Sequence, residues 1–316
     1  MRALYFDGRE LKLVDEYSLT RRGEALIKVS VAGICGTDLE ILKGYAGFKG
    51  VLGHEFVGVV EESSNPAFVG KRVVGEINVG CNSCELCRKG LMRHCPSRTV
   101  LGIRGRDGSF AEYLTLPEQN LHVVPDNVND IQAVFTEPLA AAYEILEQVQ
   151  VDPSWKVAVL GDGRLGNLIA QVLSLLVSHL DVYGHHERKL GILRELGINA
   201  LNEKSHAASH SYDLVVEATG REKGFAEAVE LVKPRGLIIL KSTIAHLYQL
   251  DLATLVVNEV KLVGSRCGPF KPALNALAKR IVKVEKLVDH VYSLDDHENA
   301  FEQASSRDTL KVLFKP

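Results

Sequence analysis

The sequence lacks a long hydrophobic run and a block of like charge, and each absence removes a class of protein. The most apolar helix-like stretch, residues 168–177, is well short of the roughly 18 residues that a membrane span needs. The net charge of −3 comes without clusters of one sign, which excludes the electrostatic footprint of a nucleic-acid or anionic-membrane binder. The first residues become polar too early for a signal peptide. We therefore expect a cytoplasmic protein with neither a nucleic-acid nor a membrane partner.

The composition predicts a globular protein with two domains. The chain has 316 residues, of which 46% are hydrophobic and 24% charged, a balance typical of soluble proteins. The first part contains short apolar or β-branched runs, such as 25–31 and 52–60, separated by glycines and charges, which predicts β-structure. After residue 139, predicted strands and helices alternate, as in a Rossmann doubly wound parallel sheet. The predicted fold class is therefore α/β, with a β-rich domain and a Rossmann domain.

Four cysteines form the most specific motif, with the spacing C-x2-C-x2-C-x7-C. They are Cys81, Cys84, Cys87 and Cys95. Thiolates at these spacings on tight turns can point at one centre, and four of them complete the tetrahedral shell of Zn2+. Because no coordination position stays open, the motif predicts a structural zinc. Disulfides are the alternative, and a long chain expected in a reducing compartment disfavours them.

A G-D-G-R-L-G motif follows a predicted strand at 156–160 and opens a predicted helix at 165–176. In this context the pattern indicates dinucleotide binding, because glycines allow a tight turn and a close approach of the pyrophosphate to the helix N-terminus. An ordinary glycine turn is the alternative. The residues expected to bind the coenzyme here are Gly161, Gly163, Arg164, Leu165 and Gly166.

The end of the next predicted strand, 180–183, bears on the choice between NAD and NADP. An acidic residue near this point would bind the ribose 2'-hydroxyl of NAD, but Asp181 lies inside the strand and Gly184 follows it. Glycine removes a carboxylate that would repel a 2'-phosphate. The side chains that could donate to this phosphate are His185, His186, Arg188 and Lys189. We predict NADP(H) over NAD(H); the alternative is that these charges form a solvated helix start.

A second metal site is predicted from Cys35, His54 and Glu137. One thiolate, one imidazole and one carboxylate suit a catalytic zinc that keeps its fourth position open. Taken singly, each residue has a structural explanation as a buried thiol, a loop histidine or a helix-start carboxylate. Cys35 and His54 both follow strands in glycine-rich turns, which favours the metal interpretation.

These motifs resemble the zinc-dependent medium-chain dehydrogenases, the group of alcohol, polyol and threonine dehydrogenases. They occur in the family's order and span nearly the whole chain. They are G-I-C-G-T-D at 33–38, G-H-E at 53–55, the cysteine lobe at 81–95, E-P-L at 137–139 and the glycine motif at 161–166. The resemblance implies hydride transfer between a nicotinamide coenzyme and an alcohol or its carbonyl, with two zinc ions per chain.

The resemblance also implies domain boundaries and an assembly. A GroES-like catalytic domain would comprise 1–139 and 268–316 and hold both zincs, and a Rossmann domain would comprise 140–267, with the active site in the cleft between them. In the family, the strand region near 261–264 builds the subunit interface, so we expect a homodimer or homotetramer. The sixth cysteine, Cys267, is expected to be a buried or interface thiol.

Roles for the catalytic zinc site follow from the same resemblance. Cys35 and His54 would be zinc ligands, and Glu137 would be the third ligand or hold the zinc-bound water. Glu55 would lie beside the metal and exchange into its shell. Asp38 would orient His54.

Proton and hydride transfer are assigned in the same way. Thr37 would take the alcohol proton, and the nicotinamide would lie near Thr219 and the segment after Leu240. Where family members often carry a histidine two residues beyond the aspartate of the C-G-T-D motif, this chain has Glu40, so the usual proton path would be altered. The short segment 44–50 would shape the substrate pocket.

Two other functions stay open on the sequence. One is an NAD-dependent threonine- or sugar-type dehydrogenase, which a substrate panel with both coenzymes would distinguish. The other is a non-catalytic zinc and nucleotide sensor that keeps the fold; the complete set of ligand and relay residues disfavours it.

Overall fold

The fold consists of two compact units. A computed structural model of the protein describes residues 1–202, 209–243 and 252–316. The first unit comprises Met1–Glu137 and Phe270–Pro316, and the second comprises Pro138–Pro269. Among the helices of these described residues, none combines the length and hydrophobicity that a membrane crossing requires.

The first unit consists mainly of strands, whereas strands and helices alternate in the second. The elements up to the end of the first segment of unit 1 are β1 Ala3–Phe6, β2 Leu11–Val14, β3 Ala25–Gly33, α1 Gly36–Leu42, β4 Gly50–Val51, β5 Glu55–Glu62, β6 Arg72–Gly75, β7 Asn78–Val79, α2 Glu85–Arg88, β8 Thr99–Leu101, β9 Gly105–Arg106, β10 Tyr113–Leu116, β11 Leu121–Val123 and α3 Asp130–Ala133. The remaining elements are α4 Thr136–Gln148, β12 Lys156–Leu160, α5 Arg164–Ser174, β13 His179–Gly184, α6 Glu187–Glu195, β14 Asn199–Asn202, β15 Tyr212–Glu217, α7 Glu222–Leu231, β16 Val232–Leu240, α8 Leu252–Val257, β17 Lys261–Gly264, α9 Phe270–Ala278, β18 Val288–Tyr292, α10 His297–Ser305 and β19 Lys311–Phe314.

The first unit is built on a mixed sheet in the order β11-β6-β5-β3-β19-β18, with β10 also paired to β3. Its central strand β3 is apolar along most of its length and pairs with both β5 and β19 in antiparallel orientation. Two small sheets, β2-β1-β4 and β7-β8-β9, complete the unit. Burial of the β3 side chains against neighbouring strands supplies the hydrophobic stabilisation of this unit.

The second unit contains a parallel sheet in the order β14-β13-β12-β15-β16-β17. All five strand pairings are parallel. Counted from β12, this is the 3-2-1-4-5-6 order of the Rossmann fold. The β12 core residues Val157, Ala158 and Val159 are fully buried, as expected for a strand with helices on both faces. The predicted α/β fold class is confirmed.

Two sequence expectations meet limits in the C-terminal half. The nicotinamide segment expected after Leu240 extends into 244–251, which lies outside the described residues. Cys267, expected to be buried or at an interface, is partly exposed.

Candidate metal centres and coenzyme loop

Cys35 and His54 are brought together by the pairing of two strands. In the antiparallel β3–β5 ladder, Gly33 at the end of β3 is opposite Glu55 at the start of β5. Cys35 therefore follows one strand just where His54 precedes the other. The register of a hydrophobic ladder is set by its alternating side chains, so this proximity follows from the packing of β3.

Asp38 connects this turn to the histidine. Its carboxylate accepts hydrogen bonds from the backbone N–H of Cys35 at 2.8 Å and of Gly53 at 3.3 Å. The first contact is half of a capping box that starts α1. The fully buried Asp38 also lies 3.4 Å from Nδ1 of His54. Burial disfavours the imidazolium, but the Asp38 carboxylate and the Cys35 thiol hold the pKa of His54 well above its ordinary value.

The donor atoms of Cys35, His54 and Glu55 lie within 4.8 Å of one another. Among the described residues, Glu137 is not part of this group; it lies in the first turn of α4. One buried polar atom in the group, Oε1 of Glu55, makes no hydrogen bond among the described residues, whereas Nδ1 of His54 faces Asp38 and leaves Nε2 for a metal. Buried polar atoms rarely stay unsatisfied, and a sulfur, nitrogen and oxygen donor set suits Zn2+. The residues present therefore fit a zinc ion.

Lys311 lies beside this group. Its ammonium contacts Oε2 of Glu55 and donates to the carbonyl of Ile34 at 3.2 Å. The antiparallel pairing of Leu313 with Gly33 brings β19 to the same end of β3. Burial lowers the pKa of Lys311 to about 8, although the Cys35 and Asp38 charges oppose this effect. No sequence motif singled out Lys311; a lone lysine before an apolar strand carries no signal of burial.

Thr37 and Glu40 lie on α1 near the same turn. The Cys35 thiol is 3.8 Å from Oγ1 of Thr37, so the hydroxyl lies beside the predicted metal ligands. Glu40, which replaces the histidine of the resembled pattern, bonds Lys43 at 2.8 Å on the helix surface.

The four cysteines of the lobe converge as predicted metal ligands would. Their sulfur atoms lie within 4.8 Å of one another. The Cys81 and Cys87 sulfurs are 4.0 Å apart, and the Cys84 and Cys95 sulfurs are 3.8 Å apart. A zinc ion about 2.3 Å from each sulfur of a tetrahedron requires sulfurs about 3.8 Å apart, whereas a disulfide requires about 2.05 Å. The lobe therefore fits zinc and not a pair of disulfides.

Backbone N–H groups and one hydroxyl prepare this lobe for anionic sulfur. The amides of Cys84 and Cys87 point at the sulfurs of Cys81 and Cys84, at 3.4 and 3.5 Å. The hydroxyl and amide of Ser83 and the Cys84 amide lower the pKa of Cys81 to about 5. Such donors favour the thiolate, which is the form that binds metal.

The predicted coenzyme residues of the second unit lie at the carboxyl ends of three neighbouring strands. Gly161 and Gly163 lie in the turn after β12, and Arg164, Leu165 and Gly166 begin α5. Gly184 ends β13 and is followed by His185 and His186; Thr219 follows β15. These strands are adjacent in the order β13-β12-β15, at the point where the strand order reverses and where such sheets bind nucleotides. Arg188 and Lys189 lie beyond the turn that follows β13, in helix α6.

The glycine loop fits a pyrophosphate. A Cβ on Gly166 would come within 2.0 Å of the Gly161 carbonyl oxygen, so only glycine allows this turn. Gly163 is the N-cap residue of α5, and a Cβ there would meet open space. Open space before the N-terminus of a helix is where a phosphate would accept backbone N–H groups.

Two residues of this region were missed by the sequence reasoning, Asp162 and Arg221. The Asp162 carboxylate accepts hydrogen bonds from the N–H of His185 at 2.8 Å and of His186 at 2.7 Å. Arg221 Nη1 lies 2.6 Å from Nε2 of His185. Lys189, predicted to donate to a 2'-phosphate, is only 5% exposed. Gly184 could have indicated the contact with Asp162, because only glycine leaves room there for the Asp162 side chain. From the sequence, this glycine was interpreted only as the absence of a carboxylate.

Comparisons with known proteins agree with this arrangement. Residues 21–126 match the alcohol dehydrogenase GroES-like domain, and residues 131–315 match the glucose dehydrogenase C-terminus. D-arabinitol dehydrogenase 1 of Uromyces fabae is 28% identical over 100% of this chain and 97% of its own length. Sorbitol dehydrogenase of Halalkalibacterium halodurans is 28% identical over 92% of this chain and 91% of its own. A short chain alcohol dehydrogenase (rspB) from Escherichia coli CFT073, solved with NADH, superposes with a TM-score of 0.89 at 28% identity, covering 100% of this chain and 99% of that one.

Proposed function

Because the chain belongs to the zinc-dependent medium-chain dehydrogenases, we propose that it oxidises a polyol to the corresponding carbonyl compound, or catalyses the reverse reaction. The protein is an oxidoreductase that transfers hydride between a nicotinamide coenzyme and an alcohol or carbonyl. The polyol class is supported by the relatives named for D-arabinitol and sorbitol.

The observation that carries this proposal is the group of Cys35, His54 and Glu55, in which the buried Oε1 of Glu55 has no hydrogen-bond partner among the described residues. We propose that these residues hold the catalytic zinc. Glu137 remains the alternative carboxylate ligand. The four cysteines of the lobe would hold a second, structural zinc, giving two ions per chain.

The geometry supports specific roles for the chain's own residues. When bound, zinc supplies a Lewis acid that polarises the substrate oxygen. Asp38 fixes the ring of His54 and the Cys35 turn, so that the donors are positioned before the metal arrives. The hydroxyl of Thr37, next to Cys35, would relay the proton of the alcohol, accepting it while its own proton passes to water. The glycine loop would hold the pyrophosphate of the coenzyme, whose nicotinamide accepts the hydride.

Three finer statements remain predictions. The sequence around Gly184 predicts NADP(H) over NAD(H), but the contact of that residue with Asp162 favours the opposite preference. A homodimer or homotetramer is supported by the position of β17 at the edge of its sheet, with Leu262 40% exposed. The cytoplasmic location is supported by the cysteine lobe, whose sulfur atoms are spaced for a metal and not for disulfides.

The test is turnover of purified, zinc-loaded protein with a panel of polyols and each oxidised coenzyme. We expect reduction of coenzyme with polyols and its loss in Cys35→Ser, while coenzyme affinity stays unchanged. Cys267→Ser is the matched control and should keep full turnover. Absence of coenzyme reduction with every alcohol in the panel would contradict the proposal. A Cys35→Ser protein that retains full turnover and zinc would contradict the site.

A further inference from the structure

We propose that Asp162 is the residue that selects the coenzyme, and that it selects NAD(H) by excluding the 2'-phosphate of NADP(H). This inference rests on the proposed dehydrogenase function. It replaces the preference predicted from the sequence, which assumed that no carboxylate lies at the end of β13.

The carboxylate missing from the end of β13 is supplied by the glycine loop. Oδ2 of Asp162 accepts the N–H of His185 at 2.8 Å and the N–H of His186 at 2.7 Å. Nδ1 of His186 lies 3.0 Å from the same oxygen. An acidic group at this strand end is what NAD-binding Rossmann sheets use beside the adenosine ribose. Here it comes from the middle of the G-D-G-R-L-G motif instead of from the strand itself.

Position 184 must be glycine for a steric reason, which is separate from the charge that glycine lacks. A Cβ at position 184 would lie 2.4 Å from the Cβ of Asp162 and 2.5 Å from its Oδ2. Any side chain there would displace the carboxylate. Glycine at this position is therefore required by Asp162, and it no longer indicates an empty space for a phosphate.

Asp162 opposes a 2'-phosphate in two ways. First, it occupies the two backbone N–H groups that open the β13–α6 turn, which would otherwise be donors for the phosphate oxygens. Second, it carries negative charge: burial raises its pKa, but the amide and ring of His186 and the amide of His185 hold the pKa of Asp162 below its ordinary value. Two like charges in a partly buried turn repel strongly.

The basic side chains around the turn do not offset the repulsion between Asp162 and a 2'-phosphate. The His186 ring faces Asp162, and His185 Nε2 faces Nη1 of Arg221 at 2.6 Å. Lys189 is 5% exposed on α6. Of the four side chains predicted to bind the phosphate, three are thus engaged or buried within the described structure.

The experiment compares the dissociation constants of NADH and NADPH, by fluorescence titration of zinc-loaded protein without substrate. For the natural protein we expect NADH to bind at least about tenfold more tightly than NADPH. Asp162→Asn keeps the shape and an acceptor oxygen but removes the charge. We expect it to tighten NADPH binding by about tenfold or more and to change NADH binding by less than about threefold.

Glu187→Gln is the control variant, because it removes the same charge from the first turn of α6, where Glu187 is paired with Arg194. It should leave the ratio of the two dissociation constants unchanged. If Asp162→Asn weakens both coenzymes equally, Asp162 is only structural and the inference is overturned. If the natural protein binds NADPH more tightly, the inference is overturned without any variant. Binding of neither coenzyme to the folded natural protein would instead overturn the proposed function.

Discussion

Lys311 and Glu55, 256 residues apart in the chain, form an ion pair in which both side chains are completely buried. The pair lies beside Cys35 and His54, because β19 and β5 both pair with β3. Only one oxygen of Glu55 contacts the lysine, and Oε1 has no hydrogen-bond partner among the residues that the structure describes. The lysine thus neutralises a buried carboxylate while leaving one of its oxygens for the predicted metal.

Removal of this lysine should destabilise the protein strongly. In Lys311→Met the charge of Glu55 stays buried without its cation, so we expect the free energy of unfolding to fall by about 3–5 kcal/mol. Urea unfolding of the zinc-loaded protein measures it. The double variant Lys311→Met with Glu55→Gln should recover part of the loss, because it leaves no buried charge. Lys279→Met, at an exposed position, should change the stability by less than about 0.5 kcal/mol. An equally mild effect of Lys311→Met would show that the pair contributes little.

Asp38→Asn should weaken the catalytic metal site. The substitution keeps the size of the side chain but removes the charge that faces His54, and loss of such a group typically costs about 10–100-fold in metal affinity. Competition with a chelating dye measures the dissociation constant of zinc. Glu40→Gln serves as control, since that carboxylate bonds Lys43 on the helix surface. Unchanged zinc affinity in Asp38→Asn would contradict the positioning role.

The two groups of donors should lose their zinc independently. We expect Cys95→Ser to lower the metal content from two ions per chain to one, and Cys35→Ser to remove the other ion, because each set needs its own thiolates. Elemental analysis of the purified proteins gives the counts. Cys267→Ser should retain two ions. A single ion in the natural protein, lost only in Cys95→Ser, would remove the metal mechanism while leaving the fold intact.

Acid should destabilise the first unit through His122. The His122 ring stacks on Phe270, with 5.3 Å between the ring centroids. Burial of the ring and the charge of Lys271 hold the pKa of His122 below its ordinary value of 6.5. Between the lowered pKa and 6.5 the unfolded chain binds more protons than the folded one, so the stability contributed by neutral His122 is present above 6.5 and is lost as the pH falls. His122→Phe should flatten the pH dependence of the unfolding free energy in this range. His179→Gln, at an exposed position, should keep it; equal slopes in both variants would refute the assignment.

The prediction of NADP(H) illustrates how a correct observation can support two conclusions. Gly184 does lack a carboxylate, and the sequence places basic residues after it. The turn after β12 nevertheless brings Asp162 against the same strand end. Sequence distance concealed the contact, because the two residues are neighbours only once β12 and β13 are paired.

The sequence alone determined the parts of this protein that depend on local spacing. The cysteine pattern indicated its four ligands because all of them lie within fifteen residues, from Cys81 to Cys95. The glycine motif indicated a strand, turn and helix because the chemistry of that turn is local, and the alternation of strands and helices predicted the parallel sheet that is observed.

The tertiary structure decided what depends on pairing between distant segments. It brought the turn of Cys35 against His54 and Glu55, and it brought Lys311 from the last strand to the carboxylate of Glu55. These contacts are set by the register of β3 with β5 and β19, and by the low polarity of a buried site where each charge needs a partner. Neither the register of distant strands nor the burial of a single charged side chain can be derived from residue spacing.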